Sequence, residues 1–283
     1  MQRKRKTLLL FLCFPTLLLA SCSTGNPTLG GAKKVVQYVT GESVMTTNSD
    51  DHSTGERRKL ALSGFDGFDL KGAVDVHFTQ GSDYKVEYVD NDNILERAEV
   101  KGGKLVISTK NHLKGNVRHV DFYVTSPAIT SIKVSGVSVF KAENIASSDM
   151  KISVSGVGTI TFGSLQCASL QINESGVGKI KGRVKAETVK MTVTGVVKDE
   201  LDIEASHLEV SNSGASTLDI RYRGKTADIG NSGTGKIAIT VDCDELKARN
   251  SGVAKLSIAG TADKSDIHSS GVSKVDVSRL NNY

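Results

Sequence analysis

Apolar residues return along the C-terminal half of the chain at a fixed interval. Short alternating runs such as "KISVSGVGTITF", "LQINESGVGKIKG", "ADIGNSGTGKIAI" and "KARNSGVAKLSI" each break at a Ser-Gly turn. The turn glycines are Gly136, Gly156, Gly176, Gly195, Gly214, Gly233, Gly252 and Gly271, spaced by 20, 20, 19, 19, 19, 19 and 19 residues. Eight copies at a near-constant period specify a stacked repeat. Four residues before each glycine stand Ile132, Ile152, Ile172, Met191, Val210, Ile229, Ala248 and Ile267, all apolar. Four residues after stand Phe140, Ile160, Ile180, Leu218, Ile237, Leu256 and Val275, and six after stand Phe162, Leu201, Ile220, Ile239, Ile258 and Val277. Alternation on both sides of the turn predicts two short strands per repeat, each with one face inward.

A coil of this length has a perimeter of about 60 Å and cannot bury its own inner face. Coils must therefore stack, about 4.8 Å apart. The fold expected is all-β, a parallel β-helix of about eight coils, right-handed by the usual rule for parallel crossovers. The coil at Gly195 breaks the pattern: "TGVVKDELDI" puts Asp199 in an inward column, which predicts a bulge or a short outward loop there.

The segment before the repeats, 56–126, contains further strands and is expected to cap the open end of the solenoid at 127–283. "DNDNILERAEV" is the one stretch that predicts a short helix, and "KGGK" predicts a hairpin turn. Residues 22–55 are polar and read as a tether. Residues 1–21 carry a basic "RKRK" followed by an apolar run from Leu8 to Ala20, too short for a membrane span and suited to a signal peptide. Its end, Leu19-Ala20-Ser21-Cys22, resembles the lipobox of bacterial lipoproteins, which implies lipid attachment at Cys22 and a membrane partner. That places the protein in the cell envelope as an outer-membrane lipoprotein, with either face of the membrane open.

The formal charge of +5 includes Arg3, Lys4, Arg5 and Lys6, so the chain without its signal segment carries only +1. Nothing in that balance calls for nucleic acid. The six histidines show no metal-ligand spacing with cysteine or carboxylate partners. "GNSGTGK" from Gly230 mimics a phosphate-binding loop, but Ile237 stands where that loop needs Ser or Thr. No cofactor is expected. Cys167 and Cys243 fall in one small-residue column four coils apart, too far to bridge, and are expected to be free thiols.

Two columns carry candidate roles beyond the core. Asn212, Asn231 and Asn250 precede their glycines by two and could form an amide ladder. Three residues after their glycines stand Lys179, Lys198, Lys236, Lys255 and Lys274, a basic stripe able to meet anionic glycan or lipid headgroups.

The run "RKLALSGFDGFDLKGAVDVHFTQGSDYKVEYVDNDNILERAEVKGGKLVIS", followed by recurring Ser-Gly turns, resembles the putative auto-transporter adhesin, head GIN domain family over about residues 56–278. The resemblance implies a secreted or lipid-anchored β-helix without catalytic residues. Many members carry Ser-Gly-Ser-Gly-Asp turns where this chain has Ser-Gly-Val. The function expected is a non-catalytic envelope module that binds a surface or extracellular glycan or protein. The alternatives are a polysaccharide-degrading β-helix enzyme, disfavoured because short coils leave no room for groove-building loops, and a scaffold that self-assembles through its C-terminal coil.

Overall fold

This computed structural model describes residues 55–110 and 118–282. The expected signal segment, Cys22, nearly all of the tether and His112 lie outside the described residues. Every regular element described is a strand. "DNDNILERAEV" contains no helix: Leu95–Lys101 is a strand, because pairing with Lys104–Thr109 overrides the helix propensity of Leu, Glu, Arg and Ala. The hairpin between them turns on Gly102 and Gly103, both at positive φ (58° and 72°).

From Ser131 onward the chain is a parallel β-solenoid. Its strands are β8 (Ser131–Val134), β9 (Val137–Ala146), β10 (Asp149–Val154), β11 (Val157–Gln166), β12 (Ser169–Glu174), β13 (Val177–Val193), β14 (Val196–Asn212), β15 (Thr217–Asn231), β16 (Lys236–Asn250), β17 (Lys255–Ser269) and β18 (Lys274–Asn282). Each residue pairs with the one a coil away, so identical columns stack: Ile132, Ile152, Ile172 and Met191 are successive partners, all fully buried.

The array begins one coil earlier than the Ser-Gly turns indicate. β2 (Gly67–Leu70) and β3 (Ala73–Gln80) stack in register on β8 and β9, with Gly72 in the turn column. β6 (Lys104–Thr109) and β7 (Val120–Ser126) pair in parallel with the other side of β2 and β3. The antiparallel strands β1 (Arg58–Leu60), β4 (Lys85–Val89) and β5 (Leu95–Lys101) then cover this end. Aromatic packing concentrates here, with Phe68 edge-on to Phe78 and Phe140 at ring-centroid distances of 5.6 and 5.2 Å.

The turn glycines exist because neighbouring coils approach too closely for a side chain. A Cβ on Gly156, Gly176, Gly195, Gly214 or Gly233 would overlap the carbonyl oxygen of the preceding turn glycine. Gly252 and Gly271 have positive φ (76° and 74°), which favours glycine, and a Cβ on Gly252 would also overlap the Ser232 carbonyl oxygen.

The coil at Gly195 runs without a bulge. Asp199 pairs in register with Leu218, and Leu201 with Ile220. The register shifts fall elsewhere. One lies between Thr161 and Ser164, where a 20-residue coil meets a 19-residue one. The other lies between Ser257 and Ala259 and turns Val277 outward, so it is 41% exposed and not in the core. Asp276 anchors that kink by accepting from the Ser278 amide and hydroxyl at 3.1 and 2.8 Å.

Candidate binding face

The Ser-Gly corner is a surface with its own chemistry. Each turn serine or threonine sends its backbone N–H to a carbonyl of the preceding coil, as from Ser155 to Val134 at 2.9 Å and Thr194 to Glu174 at 2.8 Å. The hydroxyls add only long bonds to the same oxygens, 3.4 Å in both cases. Small residues and close backbones leave a shallow open trough down this corner, bordered by Val177, Val196 and Val253.

Immediately after each glycine the side chain points outward. In this file stand Val137 and Val157, both half-buried, and then Val177, Val196, Ala215, Thr234, Val253 and Val272, whose four valines are 42, 56, 65 and 81% exposed. They account for four of the six large exposed hydrophobic residues among the described ones; the others are Tyr84 and Val277. A core-forming pattern has no use for valines there.

Two residues further along lies the lysine stripe, exposed on the same side of the coil. Lys198 pairs with Thr217, Thr217 with Lys236, Lys236 with Lys255 and Lys255 with Lys274 in direct register. Lys179 is set apart from the other four. Its Nζ lies 3.0 Å from Glu200, which also holds Lys181 at 3.1 Å, and the two ammonium groups keep that carboxyl below its usual range. Among the described residues no ion pair engages Lys198, Lys236, Lys255 or Lys274. On other faces some charges pair between coils, as in Lys185–Glu204 at 3.1 Å and Lys190–Glu209 at 2.7 Å.

The asparagine column lies inside. Asn212, Asn231 and Asn250 are each buried to within 2%. Asn212 Nδ2 donates to Asn231 Oδ1 at 2.8 Å, but Asn231 and Asn250 donate to carbonyls across the turn, at 3.4 Å to Gly235 and 3.3 Å to Ala254, and to the next coil, at 3.5 Å to Lys255 and 3.1 Å to Lys274. These bonds tie each corner to the residues that follow it and to the next coil.

The same column holds Glu174, whose significance the sequence reading missed although it stands between the inward Val154 and Val193. Glu174 faces Asp199, and both carboxyls are buried. Asp199 Oδ1 accepts the Ile180 amide at 2.8 Å, while Asp199 Oδ2 and both Glu174 oxygens lack a partner if both groups are ionised. A proton on Glu174, donated to Asp199, supplies the missing bond. Burial, reinforced by the neighbouring Asp199 charge, pushes the Glu174 carboxyl far above its ordinary range.

Cys167 and Cys243 are free, buried thiols, pushed up to about 11 mainly by burial, and so are poor nucleophiles at neutral pH. His119 Nδ1 lies 2.7 Å from Asp75 at the N-terminal end. Among the described residues no cluster of three or more His, Cys, Asp or Glu could hold a metal ion.

A family model described as "Putative auto-transporter adhesin, head GIN domain" matches residues 64–226 and 201–282. The chain belongs to this family. Three solved structures share the fold of this head GIN domain. A putative adhesin from Bacteroides fragilis NCTC 9343 is 21% identical, with 81% of this chain and 96% of that one covered at a TM-score of 0.63. A putative adhesin from Parabacteroides distasonis ATCC 8503 is 16% identical, with 81% and 98% covered at 0.55. A putative lipid binding protein from Parabacteroides distasonis ATCC 8503 is 18% identical, with 79% and 97% covered at 0.53. No curated protein matches. The match covers nearly the whole of each of those solved chains.

Proposed function

We propose that this head GIN domain protein is a non-catalytic binding module of the cell envelope, anchored through lipid on Cys22, whose binding face is the Ser-Gly corner with its lysine stripe. The observation that carries this reading is the stacking of Lys198, Lys236, Lys255 and Lys274 in one outer file, none of them in an ion pair among the described residues. Four cations in an in-register file, with a fifth, Lys179, at its end, suit an extended anionic ligand better than a small one. The names of the structural neighbours, adhesin and lipid binding protein, describe binding and not catalysis, which supports the same class.

Glycoside-cleaving chemistry needs two carboxyls flanking a substrate. The Glu174–Asp199 pair is sealed inside the solenoid, where no sugar reaches it. The lysine-rich corner has no carboxyl partner of that kind within its trough.

The test is retention of residues 23–283 on a panel of acidic polysaccharides at low and high salt. The comparison is with the Lys179→Gln, Lys198→Gln, Lys236→Gln, Lys255→Gln, Lys274→Gln variant. Salt-sensitive retention that the variant loses supports the corner as the binding face. Equal retention of parent and variant excludes polysaccharide as what this face holds, and the corner reading falls if lipid vesicles are bound equally by both as well.

A further inference from the structure

The exposed valines narrow the partner. Lysines alone would suit any polyanion, but the file beside them is largely apolar, and the two run side by side along six coils, interrupted by Thr217 in one and by Ala215 and Thr234 in the other. At about 4.8 Å per coil this makes a strip roughly 24 Å long. Val177 and Lys179, and Val196 and Lys198, are two residues apart on one strand, about 7 Å, whereas Val253 and Val272 stand in the turn two residues before Lys255 and Lys274. The lysine stems can lie over the valines while the ammonium groups reach outward.

Sugar recognition draws on aromatic plates and planar hydrogen-bonding side chains, and protein interfaces on aromatic and arginine anchors. The trough and its rim contain Ser, Thr, Gly, Ala and Val, with no aromatic residue and no arginine. A bilayer surface needs neither: it takes apolar side chains at the headgroup boundary and cations on its phosphates, and it is flat enough to meet a straight edge along its whole length. The next outward file holds Glu200, Asp219 and Asp276. Glu200 is occupied by Lys179 and Lys181, and Asp276, which accepts from Ser278, keeps its charge with Lys255 and Arg279 in its field, so the stripe is reduced in charge but stays net basic.

We propose that the head GIN domain docks side-on on an anionic lipid bilayer, with Val177, Val196, Val253 and Val272 at the acyl boundary and Lys198, Lys236, Lys255 and Lys274 on the headgroup phosphates. The proposal rests on the corner being the binding face, and it is separate from any lipid on Cys22. Docking of this kind would lay the solenoid axis parallel to the membrane.

The experiment is co-sedimentation of residues 23–283, which carry the whole buried core from Phe65 to Ala262 and no lipid. The vesicles are phosphatidylcholine with and without one third phosphatidylglycerol. Binding is expected only to the anionic vesicles and weakens with salt. A lysine at such a surface contributes about fivefold, so replacing Lys198, Lys236, Lys255 and Lys274 by Gln lowers partitioning on the order of 10² to 10³. Val196→Ser, Val253→Ser and Val272→Ser together lower it about tenfold. All seven positions are exposed, so unchanged thermal unfolding serves as the folding control.

Absence of sedimentation by a folded protein overturns the proposal. So does binding that depends on the lysines and ignores the valines at every salt concentration, which leaves the corner face standing with a soluble polyanion as its occupant. The corner reading itself falls if polysaccharide retention and vesicle binding are both indifferent to the lysines.

Discussion

Glu174 and Asp199 are two carboxyls in a space that tolerates one charge. Moving both ionised groups out of water beside each other costs far more than the single Ile180 amide returns. The pair therefore keeps a proton that the unfolded chain releases in the ordinary carboxylate range. A carboxyl raised in the folded state gives stability that is complete below the unfolded value, 4.5 for Glu174, and is lost as pH rises toward the folded one. Stability should accordingly decline from about pH 5 into the alkaline range. Glu174→Gln keeps a donor toward Asp199 without a proton to lose, so it flattens this slope and stabilises the protein at pH 8 by about 2–4 kcal/mol. Thermal unfolding of both proteins from pH 5 to 9 checks this, and parallel curves would refute the shared proton. At the corner, Gly195→Ala drives a methyl into the Gly176 carbonyl. It should cost about 2 kcal/mol or more in chemical denaturation.

At the scale of elements, the inward columns were legible because a two-residue alternation locked to a 19-residue period leaves one choice of face. What stayed hidden had local causes. Gly72 occupies the turn column, but Lys71 replaces the usual serine and the chain builds β4 to β7 before the next coil, so no period connects it to Gly136. The strand Leu95–Lys101 has helix-forming composition, and only its partner Lys104–Thr109 decides the outcome. Asp199 was legible as an intruder in the core, yet its partner Glu174 lies one coil back, across the corner. The valine file was overlooked because an exposed valine beside a turn looks like strand filler until its burial is known. The corner after Ile203 shows how side chains finish what the period begins. Tyr222 is buried, and its hydroxyl donates to Thr226 O at 2.7 Å with the Ala205 carbonyl 3.0 Å away. A Cβ on Gly224 would overlap that hydroxyl, so the glycine and the tyrosine are a matched pair. Tyr222→Phe should cost about 1–2 kcal/mol by leaving carbonyls without their donor, measured by urea unfolding.

Across the whole molecule, one continuous core runs from Phe65 to Ala262, and each coil is held only by its two neighbours. In such a stack local stability follows how completely a coil and its neighbours are buried. Burial is complete through β13 to β16 and thins toward the last coils. Ile267, Val275 and Leu280 are only partly buried, and the register shift opposite Ser257 turns Val277 out. β2 and β3, by contrast, are flanked on both sides, by β8 and β9 and by β6 and β7, and hold the aromatic cluster of Phe68, Phe78 and Phe140. Amide hydrogen exchange should therefore be graded and not uniform. Amides of β2, β3 and β13 to β16 should exchange together, at the free energy of global unfolding. Those of β18 and the second half of β17 should exchange at least tenfold faster, through openings that leave the rest intact. Lys274 and Val272 belong to that looser end, so a ligand that engages the whole strip should slow exchange there more than in the middle coils. Uniform protection from β13 to β18 in the free protein would mean that the last coils are held as firmly as the centre.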